Sequence, residues 1–245
     1  MTVVWSYGGG TQSIAIAVLI AQGKLPRPDL IVIADTSREA SETWEYTDRW
    51  IRPMLGQEIH IAPHSLVTRD LYSSGGKLLL GAYTEKGRFP FYCSSEWKQR
   101  VVRRWMRQQG VKKCVLWLGI SWDENDRMRV SEKKWVKHHY PLCEDIRMTR
   151  SECIALVKNF GLPDPPKSSC WCCPNRLNEQ WKRLRDVYPA DWAKAVALDE
   201  EIRAIDSKHA VYLHKQRVPL SIANLNAAVT GKDDDAGCMG GVCYV

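Results

Sequence analysis

The chain has 245 residues, which is enough for one sizeable α/β domain with an appendage or for two small domains. Its 35 lysines and arginines exceed its 28 aspartates and glutamates, and the formal charge of +7 favours anionic ligands such as nucleotides or nucleic acid. Because it has no run of about eighteen apolar residues and no secretion signal at its N-terminus, we expect a cytoplasmic protein without membrane spans.

The first predicted strand covers residues 3–5 and ends at Ser6, and a predicted helix opens near Ser13. The connection contains three consecutive glycines, which can adopt positive φ angles that other residues avoid. Such a turn aims backbone N–H groups and the positive end of the helix dipole at one place, where a phosphate group binds. The glycines are also compatible with an ordinary tight turn. The predicted phosphate site consists of Ser6, Tyr7, Gly8, Gly9, Gly10, Thr11, Gln12 and Ser13.

Strands and helices alternate along the following 100 residues or so of the chain. The sequence predicts a strand over residues 30–34, a helix over 42–55, a strand over 58–62, an extended loop over 63–93, a basic helix over 95–109 and a strand over 115–118. Continuous apolar strands that alternate with helices predict an α/β fold, a three-layer sandwich around a mainly parallel sheet. We assign residues 1–165 to this domain and residues 166–245 to a helical, cysteine-rich C-terminal region.

Polar residues follow three of the predicted strands, in segments 8–13, 35–39 and 119–127. Ligands of parallel sheets bind at the carboxyl ends of the strands, so we expect these segments to face one ligand. Carboxylates there are candidate ligands of Mg²⁺, and they are equally typical of helix caps and solvated surface. The candidates are Asp35, Glu39, Asp123 and Glu124.

Basic side chains crowd the helix predicted over residues 95–109. They suit the phosphates of a nucleotide or of a nucleic-acid backbone, and a solvated basic face is the alternative interpretation. Much later in the chain, His214 stands beside Lys215 and Arg217, and we interpret it as a surface residue. The basic residues of the helix are Lys98, Arg100, Arg103, Arg104 and Arg107.

The chain has nine cysteines, and a cytoplasmic protein does not use them as a disulfide framework, so metal binding or catalysis is the better explanation. Three cysteines lie in apolar stretches and are predicted to be small core residues. These are Cys114, Cys143 and Cys153.

Two pairs of cysteines have the spacing of a metal site. A Cys-x-x-Cys turn at Cys170 and Cys173 offers two thiolates, and Cys238 and Cys243 can complete a set of four ligands. The ligand count fits a [4Fe–4S] cluster and zinc equally well. Cys93 is an alternative ligand or a thiol that faces the substrate. A disordered tail with incidental cysteines is the competing interpretation.

An ordered series of motifs resembles one protein family. Residues 6–13 resemble the pyrophosphate-binding loop of the adenine nucleotide α-hydrolase-like (PP-loop) superfamily, in the branch similar to phosphoadenosine phosphosulfate (PAPS) reductase. Residues 34–39 resemble the second signature of that branch, residues 93–98 its cysteine and lysine element, and residues 119–127 its later nucleotide-site motif. The resemblance continues through residues 140–142, 148–150, 165–170 and 173–174, reaches the cysteine-containing C-terminus and covers nearly the whole chain in order.

The resemblance implies a parallel α/β fold that binds ATP or a related adenine nucleotide such as PAPS, with Mg²⁺ as a further candidate. It favours a [4Fe–4S] cluster, because several relatives carry one, with zinc as the alternative. Gln12 departs from the ATP-cleaving pattern, which commonly has aspartate there, so nucleotide binding is expected and cleavage stays open. Beyond the glycine loop, the implied nucleotide contacts are Asp35, Thr36, Lys98, Gly119, Ser121, Glu124 and Arg127.

The favoured function is an ATP-dependent enzyme that activates an acceptor, such as a nucleic acid, and replaces its oxygen with sulfur. Its catalytic candidates are Cys93, Asp123 and Cys243. The first alternative is a sulfonucleotide reductase that uses a C-terminal cysteine. The second is a non-catalytic nucleotide- or nucleic-acid-binding accessory protein of a mobile element or defence system. A thiol reductant or sulfur donor protein is the expected partner of either enzyme.

Overall fold

The computed structural model describes residues 1–67, 71–73, 75–205 and 209–227. Within these ranges, no helix combines the length and apolar character needed to cross a membrane. The strands are β1 (Thr2–Ser6), β2 (Leu30–Asp35), β3 (Ile59–Pro63), β4 (Ala82–Thr84), β5 (Gly87–Phe89), β6 (Cys114–Leu118) and β7 (Val136–His139).

Five of these strands form one parallel sheet in the order β3-β2-β1-β6-β7. Helices join the strands, with π-helical turns at Thr47–Ile51 and Ser94–Gln99 and a 3₁₀ helix at Trp122–Arg127. The α-helices are α1 (Thr11–Ala21), α2 (Ser41–Tyr46), α3 (Arg52–Leu55), α4 (Arg100–Gln108), α5 (Pro141–Glu144), α6 (Arg150–Asn159), α7 (Asn178–Val187) and α8 (Pro189–Arg203).

The sheet is buried on both faces, which explains why its strands are continuously apolar. Successive residues point to opposite faces, so Trp5 packs with α1 and α6 while Val4 packs with α4. The α/β sandwich predicted from the alternation of strands and helices is therefore confirmed. Three of its strands, β2, β1 and β6, are parallel neighbours, and their carboxyl ends bring the segments that begin at Gly8, Thr36 and Gly119 to one edge.

Three strands, β4, β5 and β7, were not predicted. The segment 63–93, expected to be an extended loop, contains the antiparallel hairpin β4–β5, and strand β7 forms an edge of the main sheet. The strands β4 and β5 have three residues each, which is too short for alternation to reveal them. The three cysteines predicted to be core residues, Cys114, Cys143 and Cys153, are confirmed as buried.

A separate apolar cluster joins the hairpin region to helices α7 and α8. It contains Leu79 and Trp97 from the first part of the chain and Trp181, Ala195 and Leu213 from the last part. Its residues therefore come from both sides of position 165, and the division of the chain at that position stays a prediction.

His214 is fully buried, so its assignment to the surface was wrong. Its Nδ1 accepts from the Gln216 N–H at 3.3 Å, and its Nε2 faces Asn178 Oδ1 at 3.0 Å. A neutral imidazole satisfies both contacts. The neighbouring charges of Lys215 and Arg217 suggested exposure, but the amide of Asn178, which comes from α7, stabilises the ring inside the protein.

We expect His214 to make folding stability depend on pH. Burial and the charge of Lys215 lower its pKa from 6.5 to about 4. Because the folded state resists protonation, its stabilisation is complete above pH 6.5 and is lost as the pH falls towards 4, by up to about 1.4 kcal/mol per pH unit. Urea unfolding of the wild type and of His214→Asn, measured between pH 7.5 and 4.5, isolates this contribution as a difference. Equal slopes for the two proteins would contradict the prediction.

Candidate functional site

Five consecutive backbone N–H groups at the start of α1 have no protein partner in the described part of the chain. The Tyr7 N–H donates to Val32 in the sheet, the Gly8 N–H donates to Ser13 Oγ at 3.0 Å, and regular helical bonding begins only at Ile14. Gly10 is the N-cap residue and has no side chain to cap the helix. The unbonded donors at this helix N-terminus suit an anion. They belong to Gly9, Gly10, Thr11, Gln12 and Ser13.

The glycines of this loop are required because neighbouring segments approach it closely. Gly9 has φ +70°, and a Cβ atom there would lie 2.4 Å from Thr43 Cγ2. At Gly10, a Cβ atom would lie 2.7 Å from Ser168 Oγ, an atom that is buried without a partner among the described residues. At Gly119, which directly follows β6, an added Cβ atom would lie 3.2 Å from Ser13 Oγ. The loop is therefore enclosed by three distant segments.

Gln12 connects the glycine loop to the segment after β6. Its side chain is buried, and Nε2 donates to Glu124 Oε2 at 2.7 Å and to Ser121 Oγ at 3.3 Å. Its Oε1 accepts from Arg150 Nη1 at 3.4 Å. Arg150 also reaches Thr11 Oγ1 at 3.3 Å, so a positive charge lies beside the start of α1.

The sequence did not single out Arg150 as a site residue. Arg150 lies in residues 148–150 of the family resemblance, next to the capping box of α6, in which Thr149 and Glu152 hold each other's backbone N–H groups and so fix where the helix begins. Arg150 is the first residue of that helix. Contact with Thr11, which is 139 positions away, depends on the fold.

The other predicted residues after β6 form hydrogen bonds or ion pairs with residues of the protein itself. Glu124 Oε1 accepts from Arg127 at 2.5 Å, which pairs two of the predicted nucleotide contacts with each other. Asp123 Oδ1 accepts from the Arg150 backbone N–H at 2.9 Å. These contacts hold the segment 121–127 against the glycine loop and the start of α6.

After β2, the predicted residues take two different roles. Asp35 accepts from the Ser37 N–H at 2.7 Å, which is a local turn contact. Thr36 is fully buried, and its Oγ1 lies 3.4 Å from both Glu39 Oε1 and Cys170 Sγ. Thr36 therefore faces the cysteine segment, while Asp35 stabilises the turn.

Glu39 is the centre of a buried charged group. Lys98 Nζ lies 3.2 Å from Glu39 Oε1, and the side chains are 20% and 3% exposed, respectively. The Cys170 thiol donates to the same oxygen at 3.6 Å. The second oxygen, Oε2, is buried and has no partner in the described ranges. Burial alone lowers the pKa of Lys98, but Glu39 and Cys170 outweigh it and raise that pKa above its ordinary range.

Cys170 and Cys173 form a turn, since the Cys173 N–H donates to the Cys170 carbonyl at 3.0 Å. Burial and, to a smaller extent, Cys173 raise the pKa of Cys93 to about 11, and Lys98 opposes this shift. Arg176 is buried beside this segment and donates to the carbonyls of Cys170 and Ser169. Two cations, the partly buried Lys98 and the buried Arg176, therefore accompany these thiols. Neither the ion pair of Lys98 with Glu39 nor the role of Arg176 had been predicted.

The structure does not bring all the predicted residues to one place. The Tyr7 ring packs in the core against Trp5 and its hydroxyl bonds to Thr47, so its side chain does not belong to the phosphate site. Ser6 is a buried residue of β1. Cys238 and Cys243 lie outside the described residues. Within the described ranges, no three His, Cys, Asp or Glu side chains form a metal-binding group.

No family model matches the chain, and no curated protein is significantly similar to it. Two solved structures are similar in fold. PAPS reductase from Candida auris, in a phosphate complex, has 12% identity and a TM-score of 0.43 over 67% of this chain and 76% of that one. The U34-tRNA thiolase NcsA from Methanococcus maripaludis, with its [4Fe-4S] cluster, has 13% identity and a TM-score of 0.46 over 84% and 73%. At these identities, function has to be argued from the site.

Proposed function

We propose that this chain is an adenine-nucleotide-binding enzyme of sulfur chemistry. The observation that carries the proposal is the run of five unbonded N–H groups from Gly9 to Ser13, at the N-terminus of a buried eleven-residue helix. A polyphosphate accepts several such bonds at once, and the helix dipole stabilises its charge. Arg150 adds a full positive charge at the same place.

The involvement of sulfur is supported by the distance between the glycine loop and the cysteine segment. Ser168, which approaches Gly10, is only two residues before Cys170. Cys170 in turn contacts Thr36 and Glu39 at the carboxyl end of β2. A nucleotide on the loop would therefore lie near at least one thiol, which is the arrangement that sulfur transfer to an activated group requires.

In the favoured version, ATP activates an acceptor oxygen and sulfur replaces it. Cys170, Cys173, Cys238 and Cys243 would hold a [4Fe–4S] cluster or zinc, and a bound cluster would supply the place that holds the incoming sulfur. Cys93 is the proposed thiol nucleophile of this version and Asp123 a proposed acid or base, whereas Cys243 would be the nucleophile in the reductase alternative. Lys98 and Arg176 are the cations beside these thiols, and each opposes the rise in thiol pKa that burial causes. Burial and Glu39 nevertheless raise the pKa of Cys170 well above its ordinary value.

A nucleic acid is the proposed acceptor, and the support comes from the surface of α4. This helix directly follows the turn that holds Lys98, and its exposed residues continue away from the site as a basic stripe. Arg107 lies 3.8 Å above the Trp135 ring, which fixes one guanidinium on this surface. Phosphates of a nucleic-acid backbone bind to such a stripe. Its exposed members are Arg100, Arg104, Arg107, Lys112 and Lys113.

Reduction of a sulfonucleotide is the second candidate, and one contact favours it. The Glu124 carboxylate accepts from Gln12, Ser121 and Arg127, so a metal ion there would compete with three protein donors, one of them a cation. Hydrolysis between phosphates relies strongly on metal ions, whereas attack of a thiolate on sulfur does not. A thiol reductant would be the partner in that reaction.

One assay separates these functions. We expect pyrophosphate to be released from ATP when an RNA or DNA oligonucleotide and a sulfide donor are present. Sulfite release from PAPS with a dithiol reductant would instead support the reductase. Tight nucleotide binding with neither product would support a non-catalytic accessory protein. Absence of any adenine-nucleotide binding in calorimetry would contradict all three interpretations.

The cysteine centre has its own prediction. We expect the protein purified without oxygen to contain iron and acid-labile sulfide, or zinc, and Cys170→Ser and Cys173→Ser to lose most of it because each removes a thiolate ligand. Metal analysis and absorption spectroscopy measure the content. The control is Cys114→Ala, which changes a buried cysteine of the sheet and should keep the metal. A colourless, metal-free wild type that still binds nucleotide would overturn the proposed centre.

A further inference from the structure

We infer that the chain binds the phosphates of its nucleotide without a divalent cation, with the Gln12 amide in the bridging position and Arg150 as the cation. The inference rests on the proposed nucleotide site and concerns how that site balances the charge of its ligand. Three observations support it: the bonding of Glu124, the bonding of Gln12 and the position of Arg150.

The first observation is that both oxygens of Glu124, the carboxylate that Gln12 contacts, already accept hydrogen bonds within the protein. Magnesium requires oxygen ligands at about 2.1 Å in octahedral geometry and binds through carboxylates with accessible lone pairs. Oε2 of Glu124 accepts from Gln12 at 2.7 Å and from Ser121 at 3.3 Å, and Oε1 accepts from Arg127 at 2.5 Å. A metal ion on Oε2 would compete with the amide and the hydroxyl, and one on Oε1 would compete with the guanidinium of Arg127 and be repelled by its charge, so Glu124 fits Mg²⁺ poorly.

The second observation is that Gln12 is fully used inside the protein. Its amide nitrogen has two hydrogens, and it lies within bonding distance of Glu124 and Ser121. Its oxygen accepts from Arg150. The amide therefore connects the glycine loop, the segment after β6 and the start of α6, which a metal ion between two carboxylates would otherwise do. It performs this role without adding charge.

The third observation is that Arg150 occupies a position that the stability of α6 does not explain. It is the first residue of that helix, where the dipole disfavours a cation. Its guanidinium bonds to Thr11 and Gln12 are long, at 3.3 and 3.4 Å, so a stronger acceptor can replace them. A phosphate on the N–H groups of residues 9–13 is such an acceptor, because an arginine binds it with two parallel bonds.

The test is calorimetric titration of the full chain with ATP, once in EDTA and once in excess Mg²⁺. We expect the ratio of the two dissociation constants to lie within about threefold of one, because the site does not use the metal. A ratio of ten or more in favour of Mg²⁺ would overturn the inference while leaving the nucleotide site intact. No binding in either buffer would overturn the proposed function itself, and this inference with it.

Substitutions at the two observed contacts make the test sharper. Gln12→Asp places a carboxylate against Glu124, so we expect binding in EDTA to weaken at least tenfold and Mg²⁺ to restore part of it. Glu124→Gln should leave the ratio of the dissociation constants in EDTA and in Mg²⁺ near one. If Glu124 bound the metal ion, the wild type would have a high ratio and Glu124→Gln would lower it. Wild-type affinity of Gln12→Asp in EDTA would contradict the inference.

Arg150 is tested by charge and shape. We expect Arg150→Gln to weaken ATP binding in EDTA at least tenfold and Arg150→Lys to recover part of the loss, because lysine keeps the charge but not the paired donors. The matched control is Arg147→Gln, which removes an exposed cation three residues earlier that stacks on Trp122. The melting temperature of each unliganded variant shows whether it is folded. Equal effects at positions 147 and 150 would indicate general electrostatics and overturn the role of Arg150.

Discussion

Gly9→Ala is expected to weaken nucleotide binding at least 100-fold and to destabilise the protein by about 2–4 kcal/mol. The added Cβ atom would lie 2.4 Å from Thr43 Cγ2, on a stiff β-branched side chain that is itself buried. Gly9 also has φ +70°, a conformation that costs an alanine about 1–2 kcal/mol. The loop has to shift to relieve the contact, and the five N–H groups then no longer point at one ligand.

Gly23→Ala is the matched control for this prediction. Gly23 also has φ +70°, but nothing lies within 4 Å of its Cβ position, and it follows α1 at the opposite end from the site. We expect Gly23→Ala to lower the free energy of unfolding by about 1–2 kcal/mol, because alanine is strained at this φ, and to keep full nucleotide affinity. Calorimetric titration measures the affinities, and urea unfolding measures the free energies of unfolding.

A second change tests whether the steric contact is the cause. Thr43→Ser deletes only the Cγ2 methyl group, so Gly9→Ala combined with Thr43→Ser should recover much of the lost affinity. If the double variant binds no better than Gly9→Ala, the contact with Thr43 does not explain the effect. If Gly9→Ala itself binds normally, the glycine loop is not the phosphate site.

Lys98→Met is expected to destabilise the protein by about 3–5 kcal/mol, because it leaves the buried Glu39 carboxylate without its cation. Glu39 is only 3% exposed, and its Oε2 already lacks a partner within the described ranges. The remaining donors to Glu39 are neutral, from Thr36 and Cys170, and they stabilise an ionised carboxylate much less than an ammonium group does. The loss should also disturb the Cys170 segment and with it any bound metal.

Urea unfolding measures the expected loss of stability, and two further variants of the protein show its cause. Lys98→Met combined with Glu39→Gln removes both charges and should be more stable than Lys98→Met alone. Lys158→Met removes the cation of an exposed pair with Asp164, whose N–O distance of 2.7 Å is shorter than the 3.2 Å of the buried pair. We expect it to cost about 0–1 kcal/mol, since solvent screens surface charges. Equal losses for Lys98→Met and Lys158→Met would show that burial does not govern the interaction.

The sequence by itself determined four of the five strands of the main sheet, all but the edge strand β7, and the position of the glycine loop. Continuous apolar strands that alternate with helices specify a parallel sheet with both faces covered, and that pattern is local in the chain. The order of segments that follow the strands then predicted which ones meet, because the carboxyl ends of parallel strands share one edge. The hairpin β4–β5 was missed because three-residue strands carry too little pattern.

Only the tertiary structure decided which polar groups bind each other inside the protein. Gln12 and Glu124 are 112 positions apart, and Glu39 and Cys170 are 131 apart, so no local pattern predicts either contact. His214, which its charged neighbours suggested was exposed, is buried, and Asn178 of α7 accepts a hydrogen bond from its Nε2. The periodicity of a strand or helix depends on neighbours in sequence, whereas a buried polar group is stabilised by whichever partner the packed elements bring to it.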